Sequence, residues 1–369
     1  MELRHAAGNL LVVGLTGTEL SPLERAWLKL VRPAGIILFK RNIVDAKQTR
    51  ALLKESLDFC APNAARCVDV EGGTVNRFRE ALAAIPSAQA VARAMVQPNV
   101  EPALAREHGE LIARAVAAFG FNTTLAPVLD LALPASAQVL GSRCSASEPA
   151  GVVSYARQFL IGLRSRGIAG CAKHFPGLGA GSLDSHMDTP SILRDGATIR
   201  RDDLEPYRAL RDELPMIMVN HAAYPATPSR QRPSSVSRYW IESVLRKRIG
   251  YRGLVLSDDL EMGGILKFMP IEEAAVEAIR TGSDLIEICH RAELILQAFE
   301  ALIAEAERSA AFRKLLLERA RVTERKRTCV FPDAIQAALT GRQFETLRTR
   351  ILRFGETIAA AQPAEVRTS

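Results

Sequence analysis

The stretch GCAKHFPG, residues 170–177, is a short apolar run that ends in a lysine and a histidine and is closed by Pro-Gly. An apolar run of this length, bounded by turn residues, is typical of a buried β-strand. Seven further runs of the same kind lie along the chain, before and after this one. They are residues 10–17 (LLVVGLTG), 35–42 (GIILFKRN), 66–73 (RCVDVEGG), 122–131 (NTTLAPVLDL), 216–223 (MIMVNHAA), 254–260 (LVLSDDL) and 284–290 (DLIEICH).

Helical patterns separate these runs. Residues 147–166 have apolar spacing near 3.6, with Ser147 as the expected N-cap, Pro149 in the first turn and Gly167 as the stop. Residues 271–280 behave in the same way and end before Gly282. Continuous apolar strands that alternate with helices indicate a parallel sheet covered on both faces. Eight such units predict an α/β fold of the TIM-type (β/α)8 barrel class.

We expect residues 1–305 to form the catalytic barrel and residues 306–369 a helical C-terminal extension, packed on the barrel or appended to it. The alternative architecture is a doubly wound open sheet. No GxGxxG follows the first strand, which argues against a dinucleotide site in such a sheet.

The composition excludes several classes of protein. Of 369 residues, 48% are hydrophobic and 24% charged, which is an ordinary globular balance. Aromatic residues make up only 5%, and the net charge of +7 is spread along the chain, so we expect no nucleic-acid partner. The locally basic segment 318–327 (ERARVTERKR) is interpreted as a solvated helix face.

No apolar run approaches the roughly 20 residues that a membrane span needs, so no membrane contact is expected. We interpret the N-terminus as leading into the first strand and not as an export signal, and we expect a cytoplasmic location. The six cysteines are scattered without CxxC or metal-ligand spacing and are interpreted as reduced structural thiols. No metal or organic cofactor is expected. We expect a monomer or weak homodimer.

Polar residues collect where the predicted strands end. The carboxyl ends of the strands of such a barrel meet at one mouth, so these side chains should form one ligand site. They are Asp69, Glu71, Asp130, Lys173, His174, Asn220, His221, Asp258, Asp259 and His290.

Three of these regions hold candidate catalytic or binding groups. Asp258 could attack an anomeric carbon, or it could be a helix-cap or loop acid. In the loop after the fifth strand, Asp184 precedes His186 by two residues and could orient its imidazole; an ordinary solvent-facing loop is the alternative. A zinc site there lacks HxH or HExxH spacing. In residues 68–80, Asp69 and Arg77 could bind sugar hydroxyls, Glu71 could be a second acid or a loop organiser, and Gly72–Gly73 could let the backbone approach a ligand.

The stretch KHFPGLGAGSLDSH, residues 173–186, is similar to the signature of the glycoside hydrolase family 3 β-N-acetylhexosaminidases, in particular the bacterial peptidoglycan-recycling type. The resemblance runs from about residue 11 to about residue 290 and does not cover the helical tail. Supporting matches are residues 35–42, 68–78, 125–131, 141–143 and 253–262. The sequence departs from the family pattern at Val70, Asn220 and His290, and in the MDTP run after His186, but not at a catalytic position.

The resemblance implies a TIM-type barrel and a role for each matching residue. Asp258 would be the nucleophile and His186 the acid/base, oriented by Asp184. By this resemblance the sugar-binding residues would be Asp69, Arg143, Lys173 and His174. Arg77 and His221 are further candidates for substrate binding. The implied substrate is a small carbohydrate, such as N-acetylglucosaminyl-1,6-anhydro-N-acetylmuramic acid with or without a stem peptide.

The sequence leaves three functions open. The first is hydrolysis by a retaining double displacement. The second is phosphorolysis, because a neutral histidine in place of a carboxylate does not repel an incoming phosphate. The third is a non-catalytic amino-sugar-binding protein, which would keep Asp69, Lys173 and His174 but would lose Asp258 or His186; both are present.

Overall fold

The eight predicted runs form one closed parallel barrel in the computed structural model, which describes residues 2–96, 103–181, 189–332 and 334–362. The barrel strands are β1 (Leu11–Gly14), β2 (Gly35–Leu38), β3 (Ala65–Val68), β4 (Thr123–Thr124), β5 (Ala169–Phe175), β6 (Met216–Val219), β7 (Leu254–Asp259) and β8 (Leu285–Ile288). Each strand pairs with its neighbours in chain order, and β1 pairs with both β2 and β8. This closure confirms the (β/α)8 barrel and excludes the open sheet.

Two layers of apolar side chains explain why the strand runs are continuous and not alternating. One set fills the interior of the barrel, and the other lies between the strands and the surrounding helices, so both faces of the sheet are buried. The interior set includes Val12, Ile37, Cys67, Cys171, Met218, Leu256 and Leu285. Five of the six cysteines are buried and free, and Cys329 is exposed and free.

The helices cover the outer face of the barrel. They are α1 (Leu3–Gly8), α2 (Pro22–Val31), α3 (Ala46–Leu57), α4 (Ala88–Met95), α5 (Ala103–Ala118), α6 (Pro149–Arg164), α7 (Glu205–Leu210), the π-type α8 (Tyr239–Ile249), α9 (Ile271–Thr281), α10 (Ala292–Arg308), α11 (Ala310–Val330) and α12 (Gly341–Ala360). None of the helices in the described ranges is both long and apolar enough to cross a bilayer.

The ends of two helices test the sequence-based boundaries. α9 ends before Gly282, as predicted. α6 starts with Pro149 as expected, but its N-cap is Glu148, whose side chain makes no capping hydrogen bond. The prediction that Ser147 caps this helix was therefore wrong by one residue. A short hairpin, Val70–Gly72 with Val75–Asn76, follows β3 and carries the VEGG segment.

The basic segment on α11 is solvated on one side only. Glu318, Arg321 and Arg325 are exposed, as the interpretation of residues 318–327 as a solvated helix face predicts. Arg327 is fully buried and donates to the carbonyl oxygens of Ala34 at 3.1 Å and Pro62 at 3.0 Å, and to Asn9 Oδ1 at 2.8 Å. These groups lie near the amino ends of the strands, so α11 closes the end of the barrel opposite the mouth. For Arg327 the interpretation was wrong, because a long cationic stem can cross an interior to reach backbone acceptors.

A buried carboxylate ties α11 to the sheet. Asp284 has no exposed surface; its Oδ2 accepts from Val255 N at 2.9 Å and Lys326 Nζ at 2.9 Å and is paired with Arg246. Arg319 adds a third cation at 3.4 Å. Burial would raise the pKa of Asp284, but the three cations outweigh burial and lower it.

The helices after the barrel pack on it. Phe354 of α12 stacks against His108 of α5 with ring centroids 5.9 Å apart, and Gln362 Nε2 donates to Ala90 O at 3.0 Å. The division of the chain into a barrel of residues 1–305 and an extension of residues 306–369 stays a prediction.

Asp284→Asn should destabilise the protein by ~3–5 kcal/mol at neutral pH, because three cations would lose their buried partner. The pKa of Asp284 is lowered on folding, so its contribution is present above the unfolded-state pKa of about 3.9 and is lost as the pH falls through the folded-state pKa. Chemical denaturation should show the gap to wild type narrowing as the pH falls from ~4 toward ~2.

The matched control is Asp212→Asn, since Asp212 pairs with Arg211 at the surface with 81% of its side chain exposed. That variant should change the free energy of unfolding by less than ~0.5 kcal/mol. If the free energy of unfolding of Asp284→Asn differed from that of wild type by the same amount at all pH values, the assigned charge network would be contradicted.

Candidate active site

A cavity of about 230 Å³ opens at the carboxyl ends of the strands, where such barrels hold their sites. Six of the predicted site residues line it: Asp69, Arg77, Arg143, Lys173, His174 and Asp258. Asp184 and His186 lie outside the described residues. The sequence therefore predicted most of the polar lining of this cavity.

His221 occupies a different position from the one expected. It is fully buried and does not line the cavity; its Nδ1 lies 2.7 Å from Ser235 Oγ and its Nε2 lies 2.9 Å from the carbonyl oxygen of Asp259. The structure thus places His221 in a supporting position behind Asp259, and its contact with the sugar stays a prediction. Its place at the end of an apolar strand could not distinguish these two roles.

Lys173 is the centre of the polar wall. Its ammonium lies 2.8 Å from Asp69 Oδ1 and 2.7 Å from Glu71 Oε1, with 4% of its side chain exposed. Burial would lower the pKa of Lys173, but Asp69 and Glu71 raise it, so the lysine is charged. Burial would likewise raise the pKa of Asp69, but Lys173 and Arg77 hold it well below its usual range. The wall thus presents fixed, fully ionised donors and acceptors.

Glu71 joins this wall to the loop that carries Arg143. Arg143 Nε and Nη2 donate to the two oxygens of Glu71, each at 2.9 Å, in a bidentate pair. Burial would raise the pKa of Glu71, but Arg143 and Lys173 lower it to about 2. Glu71 does not line the cavity. Of the two roles considered for Glu71, the geometry supports the organiser.

The tautomer of His174 follows from its partners. Arg143 Nη2 lies 3.3 Å from His174 Nε2, and a guanidinium can only donate, so Nε2 accepts and the ring proton is on Nδ1. Nδ1 then donates to Asp130 Oδ2 at 2.6 Å. Asp130 also accepts from the backbone N–H of Leu178 at 2.7 Å, which fixes the turn after β5. The imidazole is therefore locked in orientation at the cavity wall.

Asp258 and Asp259 end β7 at the opposite side of the mouth, and both line the cavity. Asp258 Oδ1 accepts from the backbone N–H of Asp259 at 3.0 Å, and no lysine, arginine or histidine of the described residues pairs with this carboxylate. Burial raises the pKa of Asp259 to about 7. Asp258 is therefore one of the cavity carboxylates that no described cation engages, and a carboxylate of this kind could react at carbon.

The rim contains residues that sequence reasoning left without a role. Phe39 packs against His290 with ring centroids 5.1 Å apart, and Arg41 lies over the Phe39 ring at 4.7 Å. Arg41 Nη1 donates to His290 Nδ1 at 3.0 Å, and His290 Nε2 lies 3.5 Å from Asp259 Oδ2. Phe39 and Arg41 belong to the GIILFKRN run, where their position at a strand end was the signal that could have identified them.

Gly72 and Gly73 do not serve a ligand. Gly72 has φ +92°, and a Cβ there would lie 2.0 Å from the carbonyl oxygen of Pro86. The corresponding distance at Gly73 is 2.6 Å, to Ser87 Cβ. The expected close approach is therefore made by the chain's own segment, which fixes the hairpin that carries Glu71. Within residues 2–96, 103–181, 189–332 and 334–362, no three His, Cys, Asp or Glu side chains converge as metal ligands.

A closed parallel barrel with a small pocket of fixed charges and carboxylates at the carboxyl ends of its strands has the architecture of a barrel enzyme. Sequence comparison agrees: the family described as glycosyl hydrolase family 3, N-terminal domain, matches residues 2–322. The chain belongs to this family and is a glycoside hydrolase of the β-N-acetylhexosaminidase type.

Individual relatives support this assignment. A β-hexosaminidase of Alkalilimnicola ehrlichii is 38% identical over 77% of this chain and 82% of its own length. A β-hexosaminidase of Xanthomonas axonopodis pv. citri is 34% identical over 82% of this chain and 90% of its own length. Among solved structures, a family 3 β-N-acetylglucosaminidase of Paenibacillus sp. has a TM-score of 0.83 at 29% identity, covering 96% of this chain and 69% of that one. Neisseria gonorrhoeae NagZ in complex with N-trifluoroacetyl-D-glucosamine has a TM-score of 0.75 at 26% identity. The match covers 96% of this chain and 97% of the NagZ chain.

Glu71→Gln should lower kcat/KM by at least ~10-fold on an aryl β-N-acetylglucosaminide, because Lys173 and Arg143 would lose the anion that positions them. It should also cost ~3–5 kcal/mol of stability, since it breaks a buried charge pair. Steady-state kinetics and chemical denaturation measure the two effects.

Glu110→Gln is the matched control. Glu110 also accepts from two arginines, Arg114 at 3.0 Å and Arg166 at 2.5 Å, but at the surface of α5 and α6. It should change stability by less than ~1 kcal/mol and leave kcat/KM unchanged. Equal effects from the two substitutions would refute the positioning role of Glu71.

Proposed function

We propose that this chain is a retaining exo-β-N-acetylglucosaminidase that removes N-acetylglucosamine from the non-reducing end of peptidoglycan fragments. N-Acetylglucosaminyl-1,6-anhydro-N-acetylmuramic acid, with or without its peptide, represents the substrate class. The observation that carries this proposal is Asp258, a carboxylate with no cationic partner among the described residues, facing a pocket whose other wall consists of fixed charges. The predicted cytoplasmic location and the monomer or weak homodimer stay predictions.

The proposed reaction is a double displacement. Asp258 attacks C1 of the sugar while His186 protonates the leaving oxygen, and a covalent glycosyl-enzyme forms. His186 then takes a proton from water, which attacks C1 and releases Asp258. Asp184 would orient the imidazole of His186.

The described residues on both sides of the 182–188 loop favour this assignment. Leu178, before the loop, lines the cavity. Thr189, after it, donates from Oγ1 to Gly264 O at 2.7 Å, two residues beyond Met262, which also lines the cavity. The described residues on either side of 182–188 therefore lie beside the mouth, which supports a role for His186 at this site.

The size of the pocket and the charge of its rim favour an exo cut with an anionic aglycone. A cavity of about 230 Å³ suits one sugar ring and not a chain. Arg41 and Arg77 lie at its rim against Phe39, with distances of 4.7 and 5.8 Å to the ring centroid. Cations at the mouth would attract the carboxylates of a muramic acid or its peptide.

Phosphorolysis is the second candidate, and the acid/base residue is what favours it. A neutral imidazole at the acid/base position does not repel an incoming phosphate as a carboxylate would. In that reaction the oxygen of phosphate attacks C1 of the glycosyl-enzyme, Asp258 leaves, and the product is a glycosyl-1-phosphate.

Purified protein should release aryl alcohol from an aryl β-N-acetylglucosaminide with the same rate in the presence and absence of phosphate. Proton NMR of the first-formed sugar should show the β-anomer, since two displacements retain the configuration. A glycosyl-1-phosphate product would assign phosphorolysis, and a first-formed α-anomer would refute the retaining mechanism. If the folded protein does not turn over this substrate either with or without phosphate, the proposed enzymatic function is wrong.

Asp258→Ala should lower kcat by ~10³-fold or more, because no other group is placed to form the covalent intermediate. His186→Ala should lower kcat by ~10²–10⁴-fold for substrates with a poor leaving group. The loss should be much smaller for a dinitrophenyl substrate, because dinitrophenolate leaves without being protonated. The near-isosteric Asp258→Asn controls for folding. An Asp258→Ala variant with full rate would disprove the nucleophile assignment.

A further inference from the structure

The cavity floor contains a carboxyl group that the mechanism does not use. Glu287 projects from β8 between the inward-facing Leu285 and Cys289, is 2% exposed and lines the cavity. Its Oε1 has no hydrogen-bond partner among the described residues. The backbone of Glu287 is held, since its N–H donates to Ser257 Oγ at 3.1 Å and its carbonyl accepts from Leu260 N at 2.9 Å. A rigid strand therefore presents an unsatisfied polar group to the pocket.

This group destabilises the protein unless something binds it. A buried polar group without a hydrogen bond costs ~1–3 kcal/mol, and an apolar residue of similar size would avoid that cost. Other inward positions of the barrel hold Leu, Ile, Val, Met or Cys, which shows that the interior accepts apolar side chains. An unsatisfied carboxyl in such an interior is typical of a group whose partner is a ligand.

The charged neighbours of Glu287 determine its protonation. The facing charged groups are Asp258 and Asp259 on β7, Asp69 after β3 and Lys173 on β5. Burial raises the pKa of Glu287 well above its usual range, the three carboxylates raise it further, and Lys173 opposes them only in part. These shifts favour the neutral form of Glu287, which has one O–H donor and a carbonyl acceptor.

The position of Glu287 in the barrel determines which part of a bound sugar its carboxyl group can reach. Asp69, Lys173 and His174 form the wall contributed by β3 and β5, while Glu287 rises from β8, beside Asp258 on β7. A sugar whose C1 faces Asp258 and whose leaving group points out of the mouth has its non-reducing end directed at the floor. The hydroxyls of that end are amphoteric and match a neutral carboxyl that both donates and accepts.

We propose that Glu287 is a specificity-determining residue that exchanges hydrogen bonds with one hydroxyl at the non-reducing end (C3, C4 or C6) of the bound N-acetylhexosamine, on the side opposite the Lys173–Asp69 wall. This inference rests on the proposed function, because the orientation of the sugar follows from attack by Asp258. It assigns the enzyme a second contact surface for the sugar, separate from the charged wall.

The test separates binding from stability. Glu287→Leu should lower kcat/KM on an aryl β-N-acetylglucosaminide at least tenfold, yet raise the melting temperature, since it removes an unsatisfied buried group. Glu287→Gln keeps a donor and an acceptor in the same shape and should retain kcat/KM within about threefold. Glu287→Met serves as a second apolar variant if the leucine variant does not fold.

The hydroxyl partner is identified with 3-deoxy, 4-deoxy and 6-deoxy forms of the same aryl substrate. For one of them, wild type and Glu287→Leu should have equal kcat/KM, because the interaction is already missing. For the other two, the tenfold difference should remain. Equal losses on all three deoxy substrates, or an apolar variant with wild-type kcat/KM on the parent substrate, would overturn the proposal.

Failure of the proposed function gives a different pattern. If wild type does not turn over the substrate, calorimetry with N-acetylglucosamine still tests the contact. Glu287→Leu should then bind the sugar at least tenfold more weakly than wild type and Glu287→Gln. Equal affinity of all three proteins would overturn the proposal independently of any reaction.

Discussion

The site depends on one buried ammonium group, that of Lys173, held between the carboxylates of Asp69 and Glu71. Each of these groups alone would be costly to bury, and together they are stable only while all three are present. The carboxylates then fix Arg77 and Arg143, and Arg143 fixes the tautomer of His174. The wall of the pocket is therefore a single network in which each charged group shifts the pKa of its neighbours.

The apolar barrel interior separates two such charge networks. At the mouth, Lys173 is surrounded by carboxylates, and at the opposite end Asp284 is surrounded by cations. The two networks differ in whether polar groups beside them remain without a partner among the described residues. Asp284 has its partners saturated and no exposed surface, which suits a structural joint. Within the described part of the chain, Asp258 has no cationic partner and Glu287 has an unsatisfied oxygen, which suits a site that completes its contacts with a ligand.

The sequence predicted what local patterns encode. Apolar runs closed by polar residues identified the eight strands, and strand ends identified Lys173, His174 and Asp258 as cavity residues. It could not predict pairings between distant segments, such as Glu71 with Arg143, 72 residues apart, or Arg327 with Asn9, 318 residues apart. His221 lies behind Asp259, and Glu287 lies on the floor of the cavity. Both positions depend on strand register, which cannot be read from a single sequence. The same holds for Gly72, whose neighbour Pro86 is set by the tertiary fold.

The closure of the barrel by α11 has a consequence for how the chain is made. The family match ends at residue 322, but Arg327 and Phe331 beyond it are fully buried at the foot of the barrel. Phe331 belongs to the interior apolar set, and Arg327 contacts Ala34, Pro62 and Asn9 from the first three β/α units. A nascent chain on the ribosome therefore exposes the open foot of its barrel until this last turn of α11 emerges from the exit tunnel. The foot of the barrel is thus completed by residues outside the matched family region.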